Sequence, residues 1–209
     1  MDSKDAAELI AELNEDRAEQ AQNDRFRNFA ALMIAFLAAV LAVGGLGGGN
    51  ATDDLIGYNI HASDTWSFYQ AKNIRQNMYR LAAEEIEAEL PALSGAERDA
   101  AEARLGRYRA TAERYESEPD AAAPDDSLRG EGKVQLMAQA RAHEEARDRA
   151  ALQDNNFDLA EVALQLALVL GSVAILALNR LVLVFSAGLG VMGSILTLNG
   201  FLLLFPLPL

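Results

Sequence analysis

The chain has 209 residues, no cysteine and a formal net charge of −13 at pH 7. The lack of cysteine excludes a disulfide framework and a thiolate metal site. The acidic excess argues against nucleic acid as a partner and against a surface that binds anionic lipid, because both need clustered Lys and Arg.

The amino-terminal part predicts an acidic arm followed by a membrane anchor. Residues 1–27 hold eight acidic and four basic residues and are predicted to be cytoplasmic, whereas residues 28–48 carry no charge and are predicted to be the first transmembrane helix. At about 1.5 Å rise per residue, such a run matches a hydrocarbon core of about 30 Å. A cleaved signal peptide is the alternative, but the run starts late and is about twice as long as a usual signal core. We therefore favour an uncleaved anchor.

The next 109 residues, 49–157, are predicted to form a helical extra-membrane domain. They are rich in Ala, Glu, Arg and Gln and poor in β-branched residues, which favours helix. Pro91 is expected to end a first helix, and the spacing of Ser94 and Glu97 is that of a capping box opening a second helix, which runs to about Glu116. Residues 117–132 contain two Pro and two Gly and predict a loop.

Two helices of this domain carry apolar residues at the 4-3 spacing of short coiled coils. The first stripe is Ser67, Ala71, Ile74, Met78 and Leu81, and the second is Ala101, Leu105, Tyr108, Ala112 and Tyr115. Stripes of this kind predict packing, either within the chain or between copies of it.

The carboxyl-terminal part predicts a membrane hairpin. A helix that begins near Lys133 meets no breaker and continues into a second transmembrane helix, residues 158–178; a third follows at residues 181–205. Only Asn179 and Arg180 join these two spans, which forces an antiparallel pair. Asn179 is expected to end the second span, because Asn tolerates the left-handed conformation.

The basic residues predict an orientation. Arg25 and Arg27 flank the first span and Arg180 lies in the hairpin turn, and three spans place both sites on one side of the membrane. The positive-inside rule assigns that side to the cytoplasm, so the helical domain is expected in the periplasm. Arg141 and its neighbours close to the second span do not fit this rule, but long loops cross the membrane largely regardless of charge.

The densest group of chemically distinctive residues lies at positions 62–72. It contains the only Trp of the chain and both signs of charge, and it predicts an interaction site formed by Asp64, Trp66, Tyr69 and Lys72. The alternative is that the aromatic residues pack only within the chain's own helical bundle.

The sequence offers few candidate residues for a metal site or a catalytic site. His61 and Asp64 lie three residues apart and would share a helix face, which is a spacing that a divalent ion can use. No His-Glu-x-x-His motif, phosphate-binding glycine loop or nucleophile–base arrangement accompanies them. We therefore predict no metal, no cofactor and no catalytic residue, and expect the protein not to be an enzyme.

Small residues recur at four-residue spacing in the spans. Gly44 and Gly48 form one such pair, and Ser186, Gly190 and Ser194 form a series; both are predicted helix-packing positions, because small residues let membrane helices approach closely. The glycine-rich stretch around Gly44 is expected to act either as a flexible exit from lipid or as a place of close helix contact.

One stretch of this chain resembles a known family. Residues 51–76, and most specifically the run Ala-Ser-Asp-Thr-Trp-Ser-Phe-Tyr-Gln-Ala-Lys at 62–72, are similar to bacterial membrane proteins catalogued only as a domain of unknown function. The resemblance extends over residues 25–201, including the Leu-Asn-Gly-Phe ending of the hairpin. It implies a three-span architecture and a bacterial origin, hence the inner membrane, and it implies no activity.

These observations predict an all-α membrane protein with three transmembrane helices and a long, coiled-coil-like extra-membrane domain. We expect a non-enzymatic, homo-oligomeric scaffold whose partners are the lipid bilayer, its own copies and other membrane proteins. The alternatives are an accessory subunit of a larger complex and an oligomeric channel or transporter subunit. Four neutral polar residues would line the pore of such a channel: Ser172, Ser186, Thr197 and Asn199.

Overall fold

The structure is a computed structural model. It describes the backbone of residues 3–207 and the side chains of residues 13–207. Residues 1 and 2 of the predicted acidic arm and residues 208 and 209 at the carboxyl terminus lie outside the described residues. The helices are α1 (Ser3–Glu89), α2 (Gly95–Glu116), α3 (Lys133–Ala177) and α4 (Arg180–Leu202), with a 3₁₀ turn at Leu90–Ala92. Within residues 3–207 there is no strand, only an isolated bridge between Pro119 and Gly130. The prediction of an all-helical protein is confirmed.

Three helices are long and apolar enough to cross a membrane. They are α3, α4 and the part of α1 that begins at Leu13. The predicted spans 28–48 and 158–178 lie in α1 and α3, although α3 ends at Ala177. Helix α4 ends at Leu202, three residues before the end of the predicted span 181–205. It ends there because Leu203 adopts a left-handed conformation (φ 48°).

The chain divides into two compact units. Unit 1 comprises residues 1–52 and 150–209, and unit 2 comprises residues 53–149. Unit 1 therefore holds the first half of α1, the second half of α3 and all of α4. Unit 2 holds the second half of α1, α2, the loop at 117–132 and the start of α3.

The glycine-rich stretch of α1 is continuous helix, which fits the alternative of close helix contact and not that of a flexible exit from lipid. Large side chains of unit 1 fill the space that these glycines leave free. A Cβ at Gly47 would lie 2.6 Å from Phe157 Cζ, and one at Gly44 would lie 3.3 Å from Thr197 Oγ1. Glycine costs helix stability, and close packing against α3 and α4 offsets that cost here.

The helix ends show how the chain turns. Pro91 lies in the 3₁₀ turn after α1, and α2 begins after Ser94 as the sequence predicts. The Ser94 side chain makes no capping hydrogen bond, so the predicted capping box does not form.

The hairpin turn also differs from expectation. Leu178, not Asn179, has the left-handed conformation (φ 49°). Asn179 instead caps α4: its side chain accepts hydrogen bonds from the amides of Leu181 and Val182. A side-chain carbonyl that satisfies free amides is the usual reason for Asn at a helix start.

Unit 1 has many small residues among its buried positions, beside the larger Leu37, Phe157, Leu164 and Leu183, and it exposes large apolar residues at its surface. Its buried positions include Ala30, Ala160, Ala167, Ala174, Ser186 and Gly190. Its exposed large side chains include Phe29, Leu32, Phe36, Leu46, Val162, Val169, Leu176, Val184 and Phe185. A surface with this many large apolar residues is unlike that of a water-soluble bundle, in which such residues lie mostly in the core.

Unit 2 has an ordinary apolar core at one end. Ala83 and Ile86 of α1 pack against Ala101 and Leu105 of α2. The predicted stripe on α2 thus lies against α1, with Ala112 also buried and Tyr108 packed at the edge of the core. The predicted stripe on α1 behaves differently, because its large members are exposed.

Candidate functional site

Unit 2 encloses a charged side chain at the centre of the sequence-predicted site. Lys72 is only 4 % exposed. Its Nζ lies 3.2 Å from Glu118 Oε2 and 3.6 Å from Glu131 Oε2, and it also lies over the rings of Phe68 and Tyr115 at 5.3 and 5.7 Å. A buried ammonium needs such partners, because removal from water without them is costly.

A second lysine joins the same region through a fully buried amide. Gln76 is 0 % exposed, and its Nε2 donates to the carbonyl of Ala112 (2.9 Å) and to Glu116 Oε2 (2.7 Å). Its Oε1 accepts from Lys133 Nζ at 2.8 Å. Lys133 Nζ also lies 3.4 Å from Glu116 Oε2. Lys72, Gln76, Glu116 and Lys133, which we call the polar cluster, bring together α1, α2 and α3.

The polar cluster affects the ionisation of one member. The hydrogen bond from Gln76, followed by the positive charges of Lys133 and Arg80, lowers the pKa of the Glu116 carboxyl below its usual 4.5, against the opposing effect of burial. The ionised carboxylate is the form that the fold favours. Both lysines are held in ion pairs, so the arrangement cross-links helices rather than presenting a reactive amine.

The aromatic members of the predicted site pack within unit 2. Trp66 and Tyr69 are half-buried and meet edge to face, with ring centroids 5.5 Å apart. Trp66 Nε1 donates to Glu144 Oε1 at 2.9 Å, and Lys133 Nζ lies over the Tyr69 ring at 5.7 Å. Asp64 is exposed and lies apart from this packing. The structure thus brings together three of the four predicted residues.

The two histidines, which are far apart in sequence, lie side by side. The ring centroids of His61 and His143 are 5.4 Å apart, and the Tyr58 ring lies 6.4 Å from that of His143. The sequence suggested Asp64 rather than His143 as the neighbour of His61. Across residues 13–207, for which side chains are described, no group of three or more Asp, Glu, His or Cys side chains is arranged to hold a metal ion.

Four of the five predicted helix-packing residues of unit 1 lie where helices meet. A Cβ at Gly190 would lie 2.6 Å from Leu37 Cδ1, and one at Gly48 would lie 3.2 Å from Phe157 Cβ. Ser186 is fully buried and its Oγ donates to the carbonyl of Ala167 at 2.6 Å. Gly44 meets Thr197, whereas Ser194 only bonds back to the carbonyl of Gly190 on its own helix.

Sequence reasoning missed a buried amide pair in unit 1. Asn199 is fully buried, and its Nδ2 donates to Asn156 Oδ1 at 2.7 Å and to the carbonyl of Phe205 at 3.0 Å. Its Oδ1 accepts from the Phe205 amide at 3.0 Å. The sequence suggested Asn199 as a residue that could line a pore, and it placed Asn156 outside the spans. The polarity of Asn199 inside an apolar run was the available signal.

The residues that the sequence singled out, including the run at 62–72, lie within the segment that a family model recognises. The model described as "Domain of unknown function (DUF4337)" matches residues 26–203. A search of the curated proteins found no match, and neither did a search of the solved structures. The match covers most of the chain and contains α3, α4 and the part of α1 from residue 26 onward. The chain therefore belongs to the DUF4337 family, as the resemblance at residues 62–72 indicated.

Proposed function

We propose that this chain is an integral membrane protein of the bacterial inner membrane that works as a non-enzymatic, homo-oligomeric scaffold. The observation that carries the proposal is the apolar surface of unit 1, where large side chains such as Leu32, Leu46 and Phe185 are exposed around an interior that contains many small and hydrogen-bonded residues. In water this exposed surface would be unfavourable, whereas in lipid it costs little.

The interior of unit 1 has the features of membrane helix packing. Gly190 against Leu37 and Gly193 against Leu164 allow close approach, and the Ser186 and Asn199 hydrogen bonds satisfy polar groups without water. Such contacts hold helices together where no hydrophobic force acts between them. The three helices therefore form a unit suited to lipid.

The same geometry favours a scaffold over the alternative of a channel subunit. Three of the four polar residues that a pore could use, Ser186, Thr197 and Asn199, are buried and hydrogen-bonded within a single chain. Only Ser172 is exposed. A pore between copies would need side chains that this packing already uses.

The test of the scaffold is the mass and the conductance of the purified protein. Native mass spectrometry in detergent should give a multiple of 22.5 kDa. Proteoliposomes should show no ion flux under voltage or osmotic tension. A monomer that binds no partner would end the scaffold proposal, and a reproducible conductance would replace it with the channel.

The predicted interaction site at Asp64, Trp66, Tyr69 and Lys72 belongs to the same proposal. The half-buried Trp66 and the buried Lys72 support a packing role, whereas the exposed Asp64 is free to contact another molecule. Trp66→Ala separates the two roles. Loss of oligomer mass with unchanged melting supports the interaction role, and loss of both supports internal packing, because removing a core Trp costs about 3–5 kcal/mol.

A further inference from the structure

In unit 2, α1 carries two stripes with coiled-coil spacing, and only one of them is covered by the chain itself. The covered stripe faces α2 and α3, and its members are Tyr69, Lys72, Gln76, Tyr79, Ala83 and Ile86. The other stripe, which we call the open stripe, consists of Ser67, Ala71, Ile74, Met78 and Leu81. Residues two positions apart differ by about 200° around a helix, so the two stripes lie on opposite sides of α1.

The open stripe is apolar and exposed. Ile74, Met78 and Leu81 have 61 %, 64 % and 65 % of their surface accessible. Polar neighbours such as Asn77 and Glu84 flank them and are also exposed. An apolar seam one or two side chains wide between polar flanks is the pattern of a coiled-coil face. The covered stripe, by contrast, has Lys72 and Gln76 at its centre.

We infer that a second copy of this chain covers the open stripe, through a parallel, in-register coiled coil over residues 67–81. The inference rests on the proposed function. A heptad seam fits another heptad seam, and the seam of α2 is already packed against α1 in its own chain. The seam of a second copy is the partner with matching spacing.

Insertion in the same membrane determines the direction in which the α1 helices of two copies pair. Copies inserted in the same bilayer with the same orientation have α1 helices that point the same way, so two such helices pair in parallel about a twofold axis. Each residue of the open stripe then meets its own counterpart, which gives layers of Ile74 with Ile74 and of Leu81 with Leu81. Symmetric dimers bury the same patch on both subunits.

The area of the open stripe sets the strength of this pairing. Three large apolar side chains expose on the order of 400 Å² per copy, about half of what a standard interface buries on each partner. Such a contact is weak between free molecules. Confinement of two copies to one membrane raises their effective concentration, as a linker does, and that compensates for the small area.

The absence of cysteine makes a direct test possible in the full-length chain. We would introduce Ile74→Cys or Leu81→Cys, oxidise native membranes, and measure disulfide-linked dimer on non-reducing gels. The matched control is Glu84→Cys, an exposed residue of α1 about 100° away from the centre of the stripe. Because a disulfide needs Cβ atoms roughly 4 Å apart, the two stripe positions should give several-fold more dimer than the control.

A second variant separates this inference from the proposed function. Met78→Glu places a charge on the open stripe, and because Met78 is 64 % exposed we expect the substitution to leave the fold of the chain intact. We expect loss of the dimer mass with unchanged helicity and melting. A variant that keeps the mass of the unmodified protein, or equal cross-linking at positions 81 and 84, would overturn the coiled coil and leave the scaffold standing. An unmodified chain that is monomeric and does not cross-link would overturn both.

Discussion

At the scale of single residues, the most informative feature is a set of polar side chains placed where apolar ones are expected. Lys72 and Gln76 occupy the covered stripe of α1, yet each is fully provided with partners. Within residues 13–207, no buried side-chain nitrogen or oxygen lacks a hydrogen-bond partner. A polar core of this kind specifies which helices pair, because any other register would leave charges unpaired.

The lowered pKa of Glu116 predicts how the stability of unit 2 depends on pH. The ionised carboxylate is favoured in the fold, so its stabilisation is complete above the usual value of 4.5 and is lost as pH falls through the lowered folded value. The melting temperature should fall between pH 6 and acid conditions of roughly pH 3. Glu116→Gln should reduce this fall. The control is Glu113→Gln, an exposed position on the same helix, and an equal effect of both variants would contradict the prediction.

Two glycines of α4 allow a matched comparison of packing and propensity. A Cβ at Gly193 would lie 2.6 Å from Leu164 Cγ and 3.1 Å from the carbonyl oxygen of Ala160, whereas a Cβ at Gly188 would meet nothing within 4 Å. Gly193→Ala should therefore destabilise the protein by about 1–3 kcal/mol through overpacking. Gly188→Ala should be neutral or stabilising by up to about 1 kcal/mol, because Ala favours helix. Thermal unfolding in detergent measures both, and equal shifts would contradict the close contact.

At the scale of the elements, the side chains of one long helix, α1, have different surroundings in its two halves. The first half of α1 exposes Phe29, Leu32 and Phe36, while its second half packs around Gln76. The helix backbone does not change between them, because Ala and other helix-forming residues continue throughout and even the glycine-rich stretch stays helical. What changes is the partner of each side chain.

The side-chain amide of Asn199 links α4 to α3 and to the segment that follows α4. Asn199→Ala removes the bonds to Asn156 and to the backbone of Phe205, and leaves Asn156 Oδ1 without its donor. We expect a loss of about 1–3 kcal/mol in unfolding free energy. Ser194→Ala is the control, because Ser194 only bonds within α4. A variant at Asn199 as stable as the control would show that these bonds contribute nothing.

At the scale of the whole molecule, the proposed orientation can be tested directly. Arg25, Arg27 and Arg180 favour the cytoplasm, which assigns residues 49–157 and the carboxyl terminus to the periplasm. Alkaline phosphatase fused after Leu128 and at the carboxyl terminus should be active at both sites, and a cytoplasmic reporter should be inactive at both. The reverse result at either site would reverse the orientation. A reporter fused after Asn179 serves as the opposite control.

The sequence by itself determined that this protein is all-helical and has three helices long and apolar enough to cross a membrane, because runs of that length and composition are legible without the fold. It also determined the breaks at Pro91 and at residues 117–132, where local backbone chemistry decides. Only the tertiary structure decided which face of α1 is covered. The apolar stripe at Ile74, Met78 and Leu81 is the stronger pattern in sequence, yet the stripe with Lys72 and Gln76 is the one that packs. The physical reason is that burial of a polar group depends on its partners, and Glu116, Glu118 and Lys133 reach it only through the fold.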